Sequence, residues 1–586
     1  MPTVRIPLVG SFNQRGLAAD IDLSLNIDQR FLNCTFNAVK NPITGGVNLY
    51  VEKRPGWGAD SLIENGSPST GLLKPQTLNA ALSAFGNASS NIYYGTTLLG
   101  AMSGRAISFT ETIISGKTFI AMRSSDGTGW YYPSDAKDVT SFVANTSSGV
   151  ATVTTYANVS SLGLYSGQAV SSNSITEGTR LTSLAVTSFL MNANATATST
   201  STFITKTALA QIVDPNFVST GTRISGFAEM DGFLFYATDD GNVRNSGLNV
   251  MTTFPAGGFL AANISPDPPN SILRHKNVIG VMGTASLEAF NNVGLTPSPL
   301  GRLPYLFSKT GSLGQESVAT IENDIYFVGS ANYGDIQVFR MRELGVTKVS
   351  NSVVDNILGS ISGSGVTAYL SGFQMGGYNY LSVSLSVGIE SPEDVLLESG
   401  DMILLELGDL ILLESTPTAS FTRQLIYNCD LNIWAEWDAK VATFITGGGG
   451  LSYNNLLASS RFNTIGKVYR INVAADGELY TDDTTSYSLE IRTSRIDHGT
   501  NRRKYVRRIR LISDKPTSGT TTLEANDNDY ASSSWYTLGT FDMTVMSPSV
   551  SRCGSYDGGR AYRLTHSTNG PFRAQALEVD FDIGLA

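Results

Sequence analysis

The residue types that most often carry chemistry are sparse in this chain. It has three histidines, His275, His498 and His566. None stands at metal-ligand spacing from a second ligand, and neither H-x-H nor H-E-x-x-H occurs. No G-x-S-x-G elbow is present. The run Gly447 to Gly450 lacks a following Gly-Lys-Ser/Thr, so it reads as a blade connection and not as a phosphate loop. Asp527 and Asp529 echo the start of a calcium loop, but the sixth-position glycine and the late glutamate are missing. Cys34, Cys429 and Cys553 are too few and too scattered for a disulfide framework or a zinc site, and read as free thiols. No catalytic residue, metal or cofactor is expected, and the chain is not read as an enzyme.

One constellation stands out. Arg492, Arg495, Arg502, Arg503, Lys504, Arg507, Arg508 and Arg510 crowd a short stretch near the C-terminus. Nucleic-acid readers usually interleave aromatics for stacking or offer a helix to the groove. Only Tyr505 is interleaved here. Three readings stand: docking onto acidic loops of a neighbouring subunit or partner ring, a solvated sheet face, and direct contact with DNA. Docking is the expectation. The formal net charge of −10 argues against a broad nucleic-acid grip, which needs net basic faces.

The elements that would position these residues are β-strands. Charged residues make up only 15% of the chain while glycine reaches 58, a balance that suits a turn-rich β protein. Residues 223–229 and 233–237 are β-prone runs joined by Asp231-Gly232, a strong hairpin signal. The design recurs at 317–329, around Gly376-Gly377 within 368–386, and at 91–102, 117–132 and 421–437. One hairpin cannot bury its apolar face alone, but radially packed hairpins can. The expected fold is therefore all-β: a β-propeller with an inserted small β domain and a C-terminal β-sandwich. The N-terminus MPTVRIPLVG lacks the apolar core of a signal peptide, and no run is long enough to span a membrane. Folding in a cytoplasm is the expectation.

Two N-terminal motifs are more specific. Asp28-Gln29-Arg30-Phe31-Leu32-Asn33-Cys34 follows an extended arm, and Lys53-Arg54-Pro55-Gly56 ends the next strand. In that order, at the head of an all-β chain, they resemble the opening of tail-nozzle (tail-hub, packaged-DNA-stabilisation-like) proteins of short-tailed, podovirus-like bacteriophages. The family-resembling positions are Asp28, Gln29, Arg30, Asn33, Arg54, Pro55 and Gly56. Residues 276–294, with Glu288, Phe290 and Gly294, resemble a further family segment, and 325–328, 336–341 and 353–358 resemble strands of its next blade. The C-terminal arginine-rich strand, followed by Arg560-Ala561-Tyr562-Arg563-Leu564, resembles the family's closing domain.

The expected organisation is an arm and first strands over 1–58, first blades over 59–138, an inserted β domain over 139–206, remaining blades over 207–484 and a sandwich over 485–586. Residues 139–206 are poor in charge and resemble a small β module inserted in many phage structural proteins. Residues 394–415 hold three near-copies of a leucine-rich unit, and a neighbouring subunit or domain is expected to cover them.

The resemblance implies a structural virion protein assembled in the host cytoplasm. Six copies would form a ring below the portal and adaptor rings. Its lumen would pass genome DNA without specific binding, and tail fibres, spikes or a needle would attach. The alternative is a receptor- or glycan-binding, or glycan-degrading, phage tail protein, since propellers also host lectins and sialidases.

Overall fold

The computed structural model describes residues 3–584 apart from 10–28, 388–419 and shorter stretches, chiefly 41–46, 63–71, 74–84, 134–139, 165–169, 215–221, 447–455, 459–466 and 529–533, together with scattered loop positions. The leucine-rich stretch 394–415, the glycine run 447–450, Asp28 and Asp529 lie outside the described residues.

Alternation of apolar and polar residues makes strands, and nearly every described element is one. The turns obey local rules. Asp231 and Gly232 both adopt positive φ, 54° and 80°, as do Gly376 and Gly377 at 61° and 81°. That is the geometry a two-residue hairpin needs to match strand twist. The strands they join pair antiparallel, Val366–Met375 with Tyr378–Val387 in unbroken register and Ile224–Met230 with Phe233–Thr238 with a shift between Ile224 and Gly226.

The hairpins build seven antiparallel four-stranded units. Five are separate sheets at 72–101, 106–133 with 210–211, 224–261, 271–302 and 318–348. The sixth, at 366–437, is part of a nine-stranded sheet. The seventh joins strands within 444–471 to Trp57–Leu62. Adjacent units meet at their first strands or through shared apolar clusters, and the first strand of the seventh returns to that of the first. The result is a seven-bladed β-propeller whose last blade takes its outer strand from the N-terminal region. Among the described residues, the junctions from blade 1 through blade 7 carry apolar clusters of their own. Ile114, Ala121 and Tyr131 of blade 2 pack on Phe227, Leu234 and Tyr236 of blade 3. Leu273, Met282 and Leu287 of blade 4 pack on Ile325, Phe327 and Phe339 of blade 5.

The axis of the propeller is closed by a short turn, Gln315–Ser317. The Gln315 side chain accepts from the Ile272 amide at 2.8 Å, in blade 4. It also fills the space beside Gly226 of blade 3, where any Cβ would collide with it. Glu316 receives a 3.1 Å ion pair from Arg123 of blade 2. A pocket of about 240 Å³ beside the turn is lined from blades 1, 2, 5 and 6.

Residues 353–358, expected as strand, lie in a helix, Ser352–Ile361. Asn351 caps it, its side chain accepting from the Val354 amide at 2.9 Å. Val354 and Leu358, one turn apart, are buried against blades 5 and 6. Helical spacing of two apolar residues behind a cap decides the segment.

Residues 140–205 form a six-stranded sheet of their own between the third and fourth strands of blade 2. Phe142, Phe189 and Phe203 pack mutually at its centre.

The C-terminal strands form a two-sheet sandwich, but not alone. Thr3–Pro7, Cys34–Lys40 and Val47–Lys53 join one sheet beside Lys504–Ser513 and Arg573–Ile583. Arg30–Leu32 joins the other. The expected division at residue 58 falls inside the strand 57–62: the strands before it serve the sandwich and that strand serves the last propeller blade.

Two histidines lie against the sandwich core, His566 buried and His498 half-buried in a turn. Burial, helped by nearby Lys504, pushes His498 down to about 4, and its ring lies 4.4 Å from Phe581. Burial, helped by Lys53, pushes His566 down to about 4, with its ring on Phe572. A depressed histidine stays neutral in the native state while the unfolded chain, near 6.5, takes up the proton. Their contribution is therefore present above pH 6.5 and is lost as pH falls towards 4. Between pH 6.5 and 5, above the carboxylate range, thermal unfolding should drop by several degrees, at roughly 2–4 °C per kcal/mol for a unit this large. Calorimetry on a His498→Gln, His566→Gln variant should show a flatter profile over that window.

Candidate functional site

The two N-terminal motifs meet around one buried guanidinium. Arg54 is fully buried, and all five of its N–H donors are used. Nε donates to Asn33 Oδ1 at 3.0 Å. Nη1 donates to Pro55 O at 3.2 Å and to Asp482 Oδ1 at 2.9 Å. Nη2 donates to Asp482 Oδ2 at 2.6 Å and to Asp438 Oδ1 at 3.1 Å. The Tyr487 ring lies 3.9 Å away and Trp437 5.6 Å away. The Tyr487 hydroxyl donates to the Arg54 carbonyl. Burial works against the charge, but Asp482, Tyr487 and Asp438 outweigh it and hold the group protonated.

Asn33 makes this convergence possible. Its φ of 56° is left-handed, a conformation asparagine tolerates better than most residues. That kink lets its side chain donate to Ser488 O at 2.8 Å while accepting from Arg54 and from the Asp438 amide. Its own amide donates to Glu436 O at 2.8 Å and its carbonyl accepts from the Arg54 amide at 3.0 Å. Just before it, Arg30–Leu32 pairs parallel with the outer strand of blade 6 and antiparallel with Leu489–Arg492 of the sandwich. Arg30 itself reaches Glu436 of blade 6 at 2.8 Å. Gln29 donates to Leu8 O at 3.2 Å. Pro55 and Gly56 are buried beside the guanidinium and turn the chain into the strand 57–62. The motif residues that can be described thus form one joint between propeller and sandwich.

The basic stretch has a different character. A β-bulge at Val506/Arg508 puts both Arg507 and Arg508 on the solvent side, while Val506, Ile509 and Leu511 face the core. The acidic partners expected on a neighbouring subunit are supplied by the adjacent strand of the same chain. Arg507 pairs with Asp582 at 2.5 Å, Arg508 with Asp580 at 2.7 Å and Arg510 with Glu578 at 3.2 Å. Arg492 pairs with Glu490 at 2.6 Å and lies over Trp535. Arg495 donates to the Asp527 carbonyl. Lys504 is buried, donating to the carbonyls of Thr500 and Gly558. Arg502 and Arg503 are exposed, with Asp557 at 4.0 Å from Arg503. The stretch is a charge-compensated sheet face, not a bare cationic strip.

Asp527 is committed as well: Arg560 holds it through 2.6 and 2.9 Å bonds. Among the described residues no three His, Cys, Asp or Glu side chains gather to hold a metal. Cys34 and Cys553 are buried, Cys429 is half-buried and all three are free. Burial pushes each thiol up, Cys429 to about 11. Among the described residues no helix is long and apolar enough to cross a membrane.

Sequence reasoning missed Asp438, Asp482 and Tyr487, because their partner Arg54 lies far away in sequence. The aromatics flanking the two acids were the available signal: Trp437 precedes Asp438, and Tyr480 precedes Asp482 by two.

Residues 126–385 match the family model described as "Phage_stabilise: Bacteriophage P22 Gp10, beta-propeller". The match runs from the last hairpin of blade 2 into blade 6 and covers less than half of the chain. It supports a structural protein of a phage tail, hence a virion component, and agrees with the propeller observed. No curated protein matches the chain. Solved structures with similar folds include a chain of the mitotic checkpoint complex at 9% identity and TM-score 0.35, covering 78% of this chain and 99% of that one. The Myceliophteria thermophila Cps50 (Swd1) β-propeller domain has 8% identity and TM-score 0.27, covering 57% of this chain and 97% of that one. The computationally designed Ika8 protein has 8% identity and TM-score 0.32, covering 71% and 99%. None of these likenesses is close enough to bear on function.

Removing the Arg54 side chain would leave Asp482, only 2% exposed, as an uncompensated buried charge. Breaking such a pair costs about 3–5 kcal/mol. Arg54→Met should therefore lower the unfolding free energy from denaturant titration by that amount, with Arg54→Lys recovering little because it cannot supply the fork. Arg508→Ala, removing a half-exposed pair, should cost less than about 1 kcal/mol.

Proposed function

We propose that this chain is the nozzle subunit of a short phage tail: six copies in a ring on the tail axis, below the portal and adaptor, forming the conduit and closure point for genome DNA. The role is structural and needs no catalysis. The observation that carries the reading is the match of residues 126–385 to the phage Gp10 propeller model. The paired N-terminal motifs support it, since they weld the propeller to the sandwich into one stiff body through Arg54.

The plugged axis supports a passage outside the propeller. Gln315 and Glu316 cross the middle of the propeller and tie blades 2, 3 and 4 together. A duplex cannot thread that centre, so a lumen has to lie between subunits around a ring axis. Six chains at −10 each carry roughly −60, a like charge that keeps phosphates from ion-pairing with the wall. The compensated arginine face also offers DNA few free cations.

Electron microscopy of the tail, or of the protein assembled on its adaptor, should show a six-fold ring on the axis. A trimer at the tail periphery would replace this reading with a receptor- or glycan-binding one.

Partner docking by the arginine face has its own test. Arg507→Glu with Arg508→Glu should lower incorporation into tails and leave DNA affinity unchanged. Adding Asp580→Arg and Asp582→Arg restores the pairing within the chain. If that restored assembly too, the arginines would act only inside the sandwich and docking would be excluded.

A further inference from the structure

The two basic residues of Lys53-Arg54 point to different surroundings. Arg54 saturates every donor, as described above. Lys53 does not. It is only 2% exposed, yet its ammonium has one hydrogen bond, to Thr568 O at 2.9 Å. The Tyr487 and Tyr480 rings lie 4.7 and 5.6 Å from Nζ. Among the described residues no carboxylate comes within ion-pair distance of it. Buried charges are normally paired, so this one marks a place where an anion is wanted.

Lys53 lines a cavity of about 300 Å³ where the N-terminal strand, the strand region before Asp482 and the sandwich meet. Tyr480, Pro516, Pro571 and Phe572 give it apolar walls, and exposed Lys515 stands at its side. The carboxylates there are already used. Arg573 pairs with Glu52 at 3.0 Å and with Asp514 at 3.5 Å, and lies over the Tyr50 ring. The cations left over are Lys53 and Lys515.

We propose that this cavity binds an amphipathic monocarboxylate, its carboxylate between Lys53 and Lys515 and its apolar body against Tyr480, Phe572 and the two prolines. Two features select the class. Glu52 and Asp514 at the rim repel a multiply charged group such as phosphate or sulfate, while a single carboxylate leaves the site near neutral. The volume lies at the small end of ligand pockets, enough for one ring or one side chain with its acid. Burial, with the Arg54 guanidinium beside it, pulls Lys53 down to about 8, against the opposing pull of Asp482 and Asp438. An incoming carboxylate relieves that strain on the ammonium. The acid has two possible sources: a free organic acid, or the C-terminal residue of a polypeptide.

Ligand-observed NMR and calorimetric titration of the purified full chain at pH 7 test this with four probes. These are 3-phenylpropionate, N-acetyl-phenylalanine, N-acetyl-glycyl-phenylalanine and inorganic phosphate. The carboxylates should bind and phosphate should not. Tighter binding of the dipeptide than of phenylpropionate assigns a chain terminus, and the reverse order assigns a free acid. Lys515→Glu, an exposed change that leaves the core intact, should weaken binding about ten- to hundred-fold, as loss of a charged hydrogen bond does. Lys53→Met should abolish it, and Tyr480→Ala should weaken it. If Lys53→Met does not fold, Lys515→Glu and Tyr480→Ala decide. No carboxylate binding by the unaltered chain at millimolar concentration would overturn the proposal. So would binding insensitive to Lys515→Glu and Tyr480→Ala, or phosphate binding tighter than the carboxylates.

Discussion

A single buried guanidinium holds the two halves of this protein together. Arg54 can sit in the interior because Asp482 meets it with both oxygens and Asp438, Asn33 and Pro55 take the remaining donors. The desolvation penalty for an ion of this size is several kcal/mol, and only a complete set of partners offsets it. Those partners come from the N-terminal motif, the end of blade 6 and the start of the segment leading into the sandwich. The charge therefore enforces a geometry: if any of these segments is displaced, a buried donor or acceptor is orphaned. Apolar packing between propeller and sandwich would tolerate sliding; this joint does not.

The paired strands around Arg54 extend that constraint. Arg30–Leu32 is shared between blade 6 and the sandwich, so one nine-stranded sheet runs through both. Backbone ladders resist shear along their whole length, and the Arg30–Glu436 pair pins the register at the crossing. The arginine face of the sandwich contributes stiffness of another kind. Its ladder of Arg507, Arg508 and Arg510 against Asp582, Asp580 and Glu578 is half-exposed, so each pair is worth little alone. Its larger effect is to leave that face with little net charge.

Much of this was legible in the sequence, for identifiable reasons. Hairpins such as 224–238 announce themselves through Asp231-Gly232, because the turn chemistry and the flanking strands are contiguous. The inserted sheet shows in its change of composition. The motif residues Asn33 and Arg54 could be singled out, but not their partners, since Asp438 and Asp482 lie some 400 residues away in sequence. The same distance hid the blade number, because the strand closing blade 7 precedes the whole propeller. The pairing of Arg508 with Asp580 depends on cross-strand register and on a bulge, neither of which alternation reveals. Residues 353–358 misled through their resemblance to a blade strand; the Asn351 cap was the signal that should have outweighed it.

The closing strand also constrains how the chain can fold. Trp57–Leu62 pairs with Lys467–Ile471, and Arg30–Leu32 pairs with Leu489–Arg492. Both pairings join the N-terminal segment to strands that follow blades 1 to 6 in sequence. Until these distant segments meet, Trp57 lacks Tyr469 and the Arg54 guanidinium lacks Asp438 and Asp482, although both Trp57 and Arg54 are fully buried in the finished fold. Long-range pairing of this kind is slow, since loop closure must precede its reward. The intermediate blades do not share that burden: each is a local meander with its own apolar junction. The physical consequence is a division of labour. Local hairpins build most of the propeller, and the Arg54 joint with the shared strand 30–32 links its last blades to the sandwich.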